Sequence, residues 1–430
     1  MTTDAYVVAL SDPAAVDADQ FGPKAANQAA LAHAGLPTPG GFCLSAQAYR
    51  AQIAAQGLTG DAEKAVTLEF MEARPFISKV RIAMFEAPVT GEVLHPLLGA
   101  YRTMVGKTGM PVAVRSSSLM EDTEGSSFAG QFQTFLGIDN EADFLTAVRA
   151  CWGALWSSRA LRYMEGHDIS AADTAMAVLV QPLVDAIASG GGISRTAQGG
   201  MSVSATWGLG EAIAQGEVVP DRYDLDRHGA IAETVVGRKF HSVQCRHHHT
   251  GPAARAVAQD QVSKPCLSES RVHELADMMK TAEAMMGGPV EVEWAMDEAG
   301  IKMLQARPLH VAPVPVPNEL WRRHPSIKGH PGGIGWGSGR ACVINCECEL
   351  GRVAPGDVLV TTVAGPALSQ ILPRVAGVVA ELGGSTSHLA SLARERGVPM
   401  VLGVLDATRR IPDGGQVAVD GVTGVVRWQS

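Results

Sequence analysis

Hydrophobic and polar positions along this chain follow two different periods. From Phe21 to about Val311, helical and extended patterns alternate without a strong break. The stretch "KAANQAALAHAGLP" is Ala-rich with helical spacing, and Gly35 followed by Pro37 stops it. The short apolar runs "PVAVRSSS" and "AMAVLVQPLV" suit buried strands. "VEVEWAMDEAGIKMLQARP" predicts two strands joined by the turn "DEAG". Alternation puts Glu291 and Glu293 on one face, opposite Val290, Val292 and Trp294. On the return strand Ile301, Met303, Gln305 and Arg307 share a face. A polar pair on one strand can therefore meet a polar pair on the other.

After Arg307 the texture changes. "LHVAPVPVPNELWRRHPSIKGHPGGIGWGSGR" alternates Pro-rich and Gly-rich pieces with little helical or strand periodicity, which is a linker composition. A flexible stretch of about 25 residues spans roughly 25–30 Å. Beyond Arg340 a small α/β unit is expected, with "DVLVTT", "VAGVVAE", a helix at His388, "GVPMVLGV" and "QVAVDGVTGVVRW" as its elements. The expected division is therefore residues 1–312, a linker over 313–339 and a small domain over 340–430. The fold class is mixed α/β and α+β, in several domains.

Composition narrows the function. The net charge of −9 argues against a nucleic-acid surface, which needs clustered Lys and Arg, but leaves room for a small anionic ligand. The N-terminus lacks a basic start and a long apolar core, and no apolar run is long enough to span a bilayer. The seven cysteines are an odd, scattered set, so reduced thiols in a cytoplasmic protein are expected, with Cys342, Cys346 and Cys348 as ordinary strand and loop thiols. His247, His248 and His249 are adjacent on a loop, where side chains seldom converge on one metal ion, and read as solvated.

Candidate chemistry gathers at four places. In "ELGGSTSHLASLARERGVPMV", His388 stands at the start of a predicted helix, capped by Ser385, Thr386 or Ser387 and ended by Gly397 and Pro399. A helix N-terminus favours an anion and disfavours imidazolium, so the ring is expected to be neutral and nucleophilic near pH 7. A capping histidine with no chemical role fits the same position. In "VAVRSSSLMEDTEGSSFAGQFQTFL", Arg115 closes a strand, and a loop of small and hydroxyl residues runs on to Gly130, able to fold over a polyphosphate or to lie exposed. In "FGPKAANQ", Lys24 precedes a helix and suits phosphate oxygens. The oxygen donors Glu293 and Gln305 suit Mg²⁺, with Arg307 beside them for phosphate, although any amphipathic hairpin could carry such a face. No P-loop or Rossmann glycine motif is present.

The order of these pieces carries more than any one of them. "FGPKAANQ", "VAVRSSS…EDTEGSSFAGQFQTFL", "VLVQPLV", "ATWGLGEAIAQGEVVPDRYDL" and "VEVEWAMDEAGIKMLQARP" resemble the ATP-grasp domain of phosphoenolpyruvate synthase and pyruvate phosphate dikinase. "GDVLVTTVAGPALSQILPRVAGVVAELGGSTSHLASLARERGVPMV" resembles the swivelling phosphohistidine domain of the same enzymes, and "GGSTSH" is closer to the rifampin phosphotransferase form. The resemblance implies that Lys24, Arg115 and Arg307 bind ATP phosphates, with Gly130 and Thr134 in the same cofactor-binding set. It implies Mg²⁺ on Glu293 and Gln305, adenine along Gln181, Leu183 and Val184, and Glu211 lining the nucleotide cleft. His388 would attack the β-phosphate, keep a phosphoryl group and carry it to a small-molecule acceptor, releasing AMP and phosphate.

Three departures from the family pattern stand out. "GPKAAN" replaces G-G-K-G-A-N, Ser387 replaces the synthase's Cys, and these residues include no third, acceptor-binding domain. The expected function is a dikinase-type phosphotransferase without nucleic-acid or membrane partners, its acceptor bound in the domain crevice or by a separate subunit. A synthetase that uses the phosphorylated substrate as an activated intermediate, or a phosphocarrier subunit, are the alternatives.

Overall fold

The computed structural model describes residues 5–121, 132, 134–165, 170–245, 252–309, 321, 324–362 and 365–429. It divides into two compact units: Met1–Val184, Cys245–Ala253 and Lys302–Arg307 form one, and Asp185–Gln244, Ala254–Ile301 and Pro308–Ser430 form the other.

The first unit runs β1 (Val7–Ala9), α1 (Ala18–His33), β2 (Phe42–Leu44), α2 (Ala46–Ala55), α3 (Thr59–Thr67), α4 (Phe70–Glu86), α5 (Gly91–Thr108), β3 (Val112–Ser118), β4 (Thr134–Ile138), α6 (Glu141–Ala154), α7 (Ser158–Glu165) and β5 (Met176–Pro182). Its sheet has the order β1-β2-β5-β3-β4, and all neighbours are antiparallel. The continuous apolar run of β5 fits its central, buried place. Helix α1 starts on Asp17, whose carboxylate accepts the Asp19 N–H at 3.0 Å. At Gly22 (φ +74°) it kinks, and a Cβ there would lie 2.5 Å from Ser117. Ser117 Oγ donates to Phe21 O (2.8 Å) and accepts the Ala25 N–H (3.2 Å), so β3 stitches the kink and fixes where Lys24 stands. Trp152 and Trp156 fill the core, and Trp156 Nε1 donates to the Tyr49 hydroxyl at 2.8 Å.

The chain continues through β6 (Ala188–Ile193), β7 (Met201–Trp207), α8 (Glu211–Ala214), β8 (Asp221–Leu225), β9 (Ile231–Val235), β10 (His241–Cys245), β11 (Pro252–Ala256), α9 (Glu269–Met286), β12 (Val290–Asp297) and β13 (Gly300–Pro308). Strands β12 and β13 are the two that the alternation predicts, with Glu298 and Ala299 between them. In the second unit β12, β6, β7, β8 and β9 lie side by side in that order, antiparallel throughout.

The rest of the second unit is β14 (Ser326–Lys328), β15 (His330–Gly333), β16 (Trp336–Ile344), β17 (Val358–Thr361), β18 (Gly377–Ala380), α10 (His388–Glu395), β19 (Met400–Leu402), α11 (Ala407–Arg410), β20 (Gln416–Asp420) and β21 (Val425–Trp428). Strands β16, β17, β18 and β19 are parallel, and β15 pairs antiparallel with β19. Strands β20 and β21 extend the other edge, also antiparallel.

Two expectations need correction here. Three strands of this sheet, β14, β15 and β16, lie between Ser326 and Ile344, where the Pro/Gly composition predicts linker as far as residue 339. The Pro-rich start of that stretch, residues 310–320, and the His247–His249 loop lie outside the described residues. Cys346 and Cys348, expected as reduced thiols, are bonded to each other across Glu347, with their Cα atoms 5.2 Å apart. No helix among the described residues is long and apolar enough to cross a membrane.

Two buried titratable groups in the second unit give stability tests. Lys239 pairs with Asp221, both wholly inaccessible, and Asp221 also accepts the Gly237 and Cys266 N–H groups at 2.8 and 2.7 Å. Lys239→Met is expected to cost about 3–5 kcal/mol, because the Asp221 charge stays buried without its cation. Urea unfolding measures it, and a change below about 1 kcal/mol contradicts a structural role for the pair. The second group is His330, whose pKa is drawn down to about 3 by burial and then by Arg222. Below pH 6.5 the unfolded chain takes up a proton that the folded ring refuses, so stability is full above that pH and falls as pH drops towards 3. The slope is up to about 1.4 kcal/mol per pH unit, and His330→Phe is expected to flatten it in unfolding curves between pH 7 and 5.

Candidate active site

In the first unit the sheet gathers the expected cations. Arg115 on β3 stands opposite Thr134 of β4 on one side and Leu179 of β5 on the other. Lys24, just past the α1 kink, donates to Ser116 O at 3.0 Å and pairs with Glu121 at 2.8 Å, both side chains nearly buried. Helix α1 also holds β13. Gln28 Nε2 donates to Met303 O (2.8 Å) and Asn27 Nδ2 to Ala306 O (3.1 Å), which anchors the residues flanking Gln305 and Arg307. Lys24, Arg115, Thr134, Gln305 and Arg307 thus belong to one unit, whereas Gly130 lies outside the described residues.

Gln181, Leu183 and Val184 are buried at the end of β5. The Gln181 amide donates to Gly40 O at 3.4 Å and the Leu183 N–H to Pro111 O at 2.8 Å, so these two groups hold the strand end in place. Glu121 is the residue that the sequence reading missed here. It lies inside the quoted Arg115 motif, but only the fold shows it balancing Lys24.

The second unit seats the residues just before His388 on the sheet that carries Glu293. Ser387 caps α10, its Oγ accepting the Ala390 N–H at 3.3 Å, and Leu389, Leu392 and Ala393 are buried, as the sequence predicts. His388 itself is exposed. On the sheet, Gly191 lies between Glu293 of β12 and Ser204 of β7 in cross-strand register, so the three share a face. Thr386 covers Gly191: a Cβ there would fall 2.5 Å from the Thr386 methyl, and Thr386 Oγ1 is 3.0 Å from Ser204 Oγ. The Gly383 N–H donates to Val218 O at 3.0 Å, and Gly384 packs against Pro220. Residues 383–387, which carry His388, therefore sit on the face that holds Glu293.

Glu211 opens α8 and is half-buried; burial, and then the nearby Glu217 carboxylate, hold its carboxyl above the usual range. Such a group gains from any cation brought beside it. Four of the described thiols are poor nucleophiles: burial lifts Cys43, Cys151 and Cys266 well above the ordinary thiol range and also raises Cys342. No group of three or more His, Cys, Asp or Glu able to hold a metal occurs among the described residues.

The architecture and site define a two-part class: an ATP-grasp-type nucleotide-binding region followed by a histidine-bearing α/β domain. Residues 18–319 match the AMP/ATP-binding domain of pyruvate phosphate dikinase, and residues 353–424 match the mobile domain of PEP-utilising enzymes. The chain belongs to the pyruvate phosphate dikinase family. It is 30% identical to a probable phosphoenolpyruvate synthase of Methanothermobacter thermautotrophicus, over 98% of this chain and 63% of that protein. It is 30% identical to the phosphoenolpyruvate synthase of Pyrococcus furiosus, over 95% of this chain and 57% of that protein. A probable phosphoenolpyruvate synthase of Archaeoglobus fulgidus is 32% identical over 98% of this chain and 58% of that protein. The chain thus spans about three fifths of the length of these relatives.

Proposed function

We propose that this protein is an ATP-dependent phosphotransferase that carries a phosphoryl group through His388 to a small-molecule acceptor and releases AMP and phosphate. The observation that carries this reading is the seating of residues 383–387 over Gly191, beside Glu293, with His388 exposed at the start of α10. A His388 ring nitrogen attacks the β-phosphorus of ATP, its bond to the α-phosphate oxygen breaks, and AMP leaves. Water then takes the γ-phosphoryl group as phosphate, and the phosphoryl left on His388 passes to an acceptor oxygen, whose proton is released. Splitting one transfer into two lowers the barrier of each.

Lys24, Arg115 and Arg307 are assigned to the phosphates, Thr134 and Gly130 to the same end of the nucleotide, and Gln181, Leu183 and Val184 to the adenine. Glu211 lines the cleft. The donor set suits Mg²⁺: a carboxylate from Glu293 and a carboxamide oxygen from Gln305 leave the remaining positions to phosphate and water, which is how Mg²⁺ is usually held. Bound there, the ion neutralises charge that develops on the phosphates during transfer. A domain boundary near 312 and a cytoplasmic location belong to the same reading.

Mass spectrometry after incubation with Mg·ATP, combined with nucleotide analysis, tests the proposal. Acid-labile phosphate on His388 together with AMP is the expected outcome, and ADP with no phosphohistidine overturns it. The relatives' name makes phosphoenolpyruvate the first product to look for.

A further inference from the structure

We propose that Arg394 and Glu291 form a clamp that seats the His388 loop on the β6–β12 face, making Arg394 a positioning residue for phosphoryl transfer from nucleotide to His388. The proposal deepens the phosphotransferase reading and rests on it for its catalytic consequence. Arg394 lies in the last turn of α10, and its side chain is 8% exposed. Its Nη2 pairs with Glu291 Oε2 at 2.8 Å, and its Nη1 donates to Ser385 O (2.5 Å) and Gly332 O (3.1 Å). Ser391 Oγ closes the group, accepting from Arg394 Nη2 at 3.2 Å and donating to Glu291 Oε1 at 3.4 Å. A single guanidinium therefore joins β12, β15 and the backbone three residues before His388.

Three features separate the clamp from an ordinary core ion pair. Its carboxylate shares a strand face with Glu293, so it fixes the loop relative to the assigned metal ligand. Gly191 removes the side chain that would keep Thr386 away, so the seat is shaped for close approach. A buried charge pair also repays little more than its own desolvation, so it specifies register more than it adds affinity. A loop that must leave with its cargo needs that balance.

The test uses Ser204→Cys with Thr386→Cys, whose native oxygens are 3.0 Å apart, to report seating as disulfide yield. Mild oxidation and peptide mass spectrometry give that yield with Glu291 intact, in Glu291→Gln and in Glu291→Asp. His388 labelling by Mg·ATP is followed in Glu291→Gln, Glu291→Asp and Arg394→Lys without the added cysteines. Glu291→Gln is expected to lower both the cross-link and the labelling rate about tenfold, the factor that ~1.4 kcal/mol of seating represents. Binding of a non-hydrolysable ATP analogue should stay unchanged, and Glu291→Asp should recover most of both losses. Labelling that falls while the cross-link persists would place Glu291 in the nucleotide site instead, and an effect on neither overturns the clamp. If the native protein never labels on His388, the phosphotransferase reading fails, while the cross-link comparison still decides whether Glu291 seats the loop.

Discussion

Replacing His388 by alanine is expected to abolish the phosphoenzyme while ATP continues to bind. Label from β-phosphate-radiolabelled ATP should drop to background, at least about a thousandfold below the native rate, since removing the nucleophile of a covalent mechanism leaves only residual catalysis. The fold should survive. His388 is exposed at the first position of α10, and that helix is held by the Ser387 cap and the burial of Leu389, Leu392 and Ala393. An exposed residue of that kind changes stability by no more than about 0.5 kcal/mol, so a thermal melt separates lost chemistry from lost structure. Nucleotide affinity should hold because the assigned phosphate cations, Lys24, Arg115 and Arg307, belong to the first unit. Acceptor phosphorylation that continues in His388→Ala would remove the histidine from the reaction.

Much of this was legible in the sequence because the relevant signals are local. The Ala-rich spacing of α1, the apolar runs of β3 and β5, and the alternation of β12 and β13 each arise within twenty residues. Helix α10 was legible for the same reason, with its cap at Ser387 and its stop at Gly397, which takes φ +64°. The glycines between His330 and Arg340 misled because composition does not reveal why a glycine is present. A Cβ on Gly333 would fall 2.1 Å from Val398 O, and one on Gly337 would fall 1.9 Å from Ala376 O. These glycines let strands lie against neighbouring backbone, and a flexible linker has the same composition.

The balancing charges were hidden for a different reason. Glu121 is 97 positions from Lys24, and Arg394 is 103 positions from Glu291. Neither pair leaves a periodic trace, and each becomes visible only once the backbone brings its members together. The two polar positions that alternation placed on one face of β12 consequently have different surroundings. Glu291 is buried against Arg394 and Ser391, whereas Glu293, two residues on, is only half-buried.

That division sets the second large effect. Glu293→Gln keeps the size and an oxygen donor of the side chain and removes its charge, so a metal ligand of this kind should weaken without disturbing the strand. His388 labelling is expected to fall by about 10²–10³ at fixed Mg²⁺, the size of loss that follows when one electrostatic partner of a transition state is removed. The Mg²⁺ concentration for half-maximal labelling should rise about tenfold or more, since a hard cation prefers a carboxylate to a neutral amide. Raising Mg²⁺ should recover part of the rate. Glu291→Gln supplies the contrast, because a carboxylate already committed to Arg394 should lower the labelling rate without moving the Mg²⁺ midpoint. Titrations that coincide for the native protein and Glu293→Gln would refute the assignment of Glu293 to the metal. A midpoint that moves equally in both variants would mean that the strand face acts as one charged surface and its two carboxylates do not divide the work.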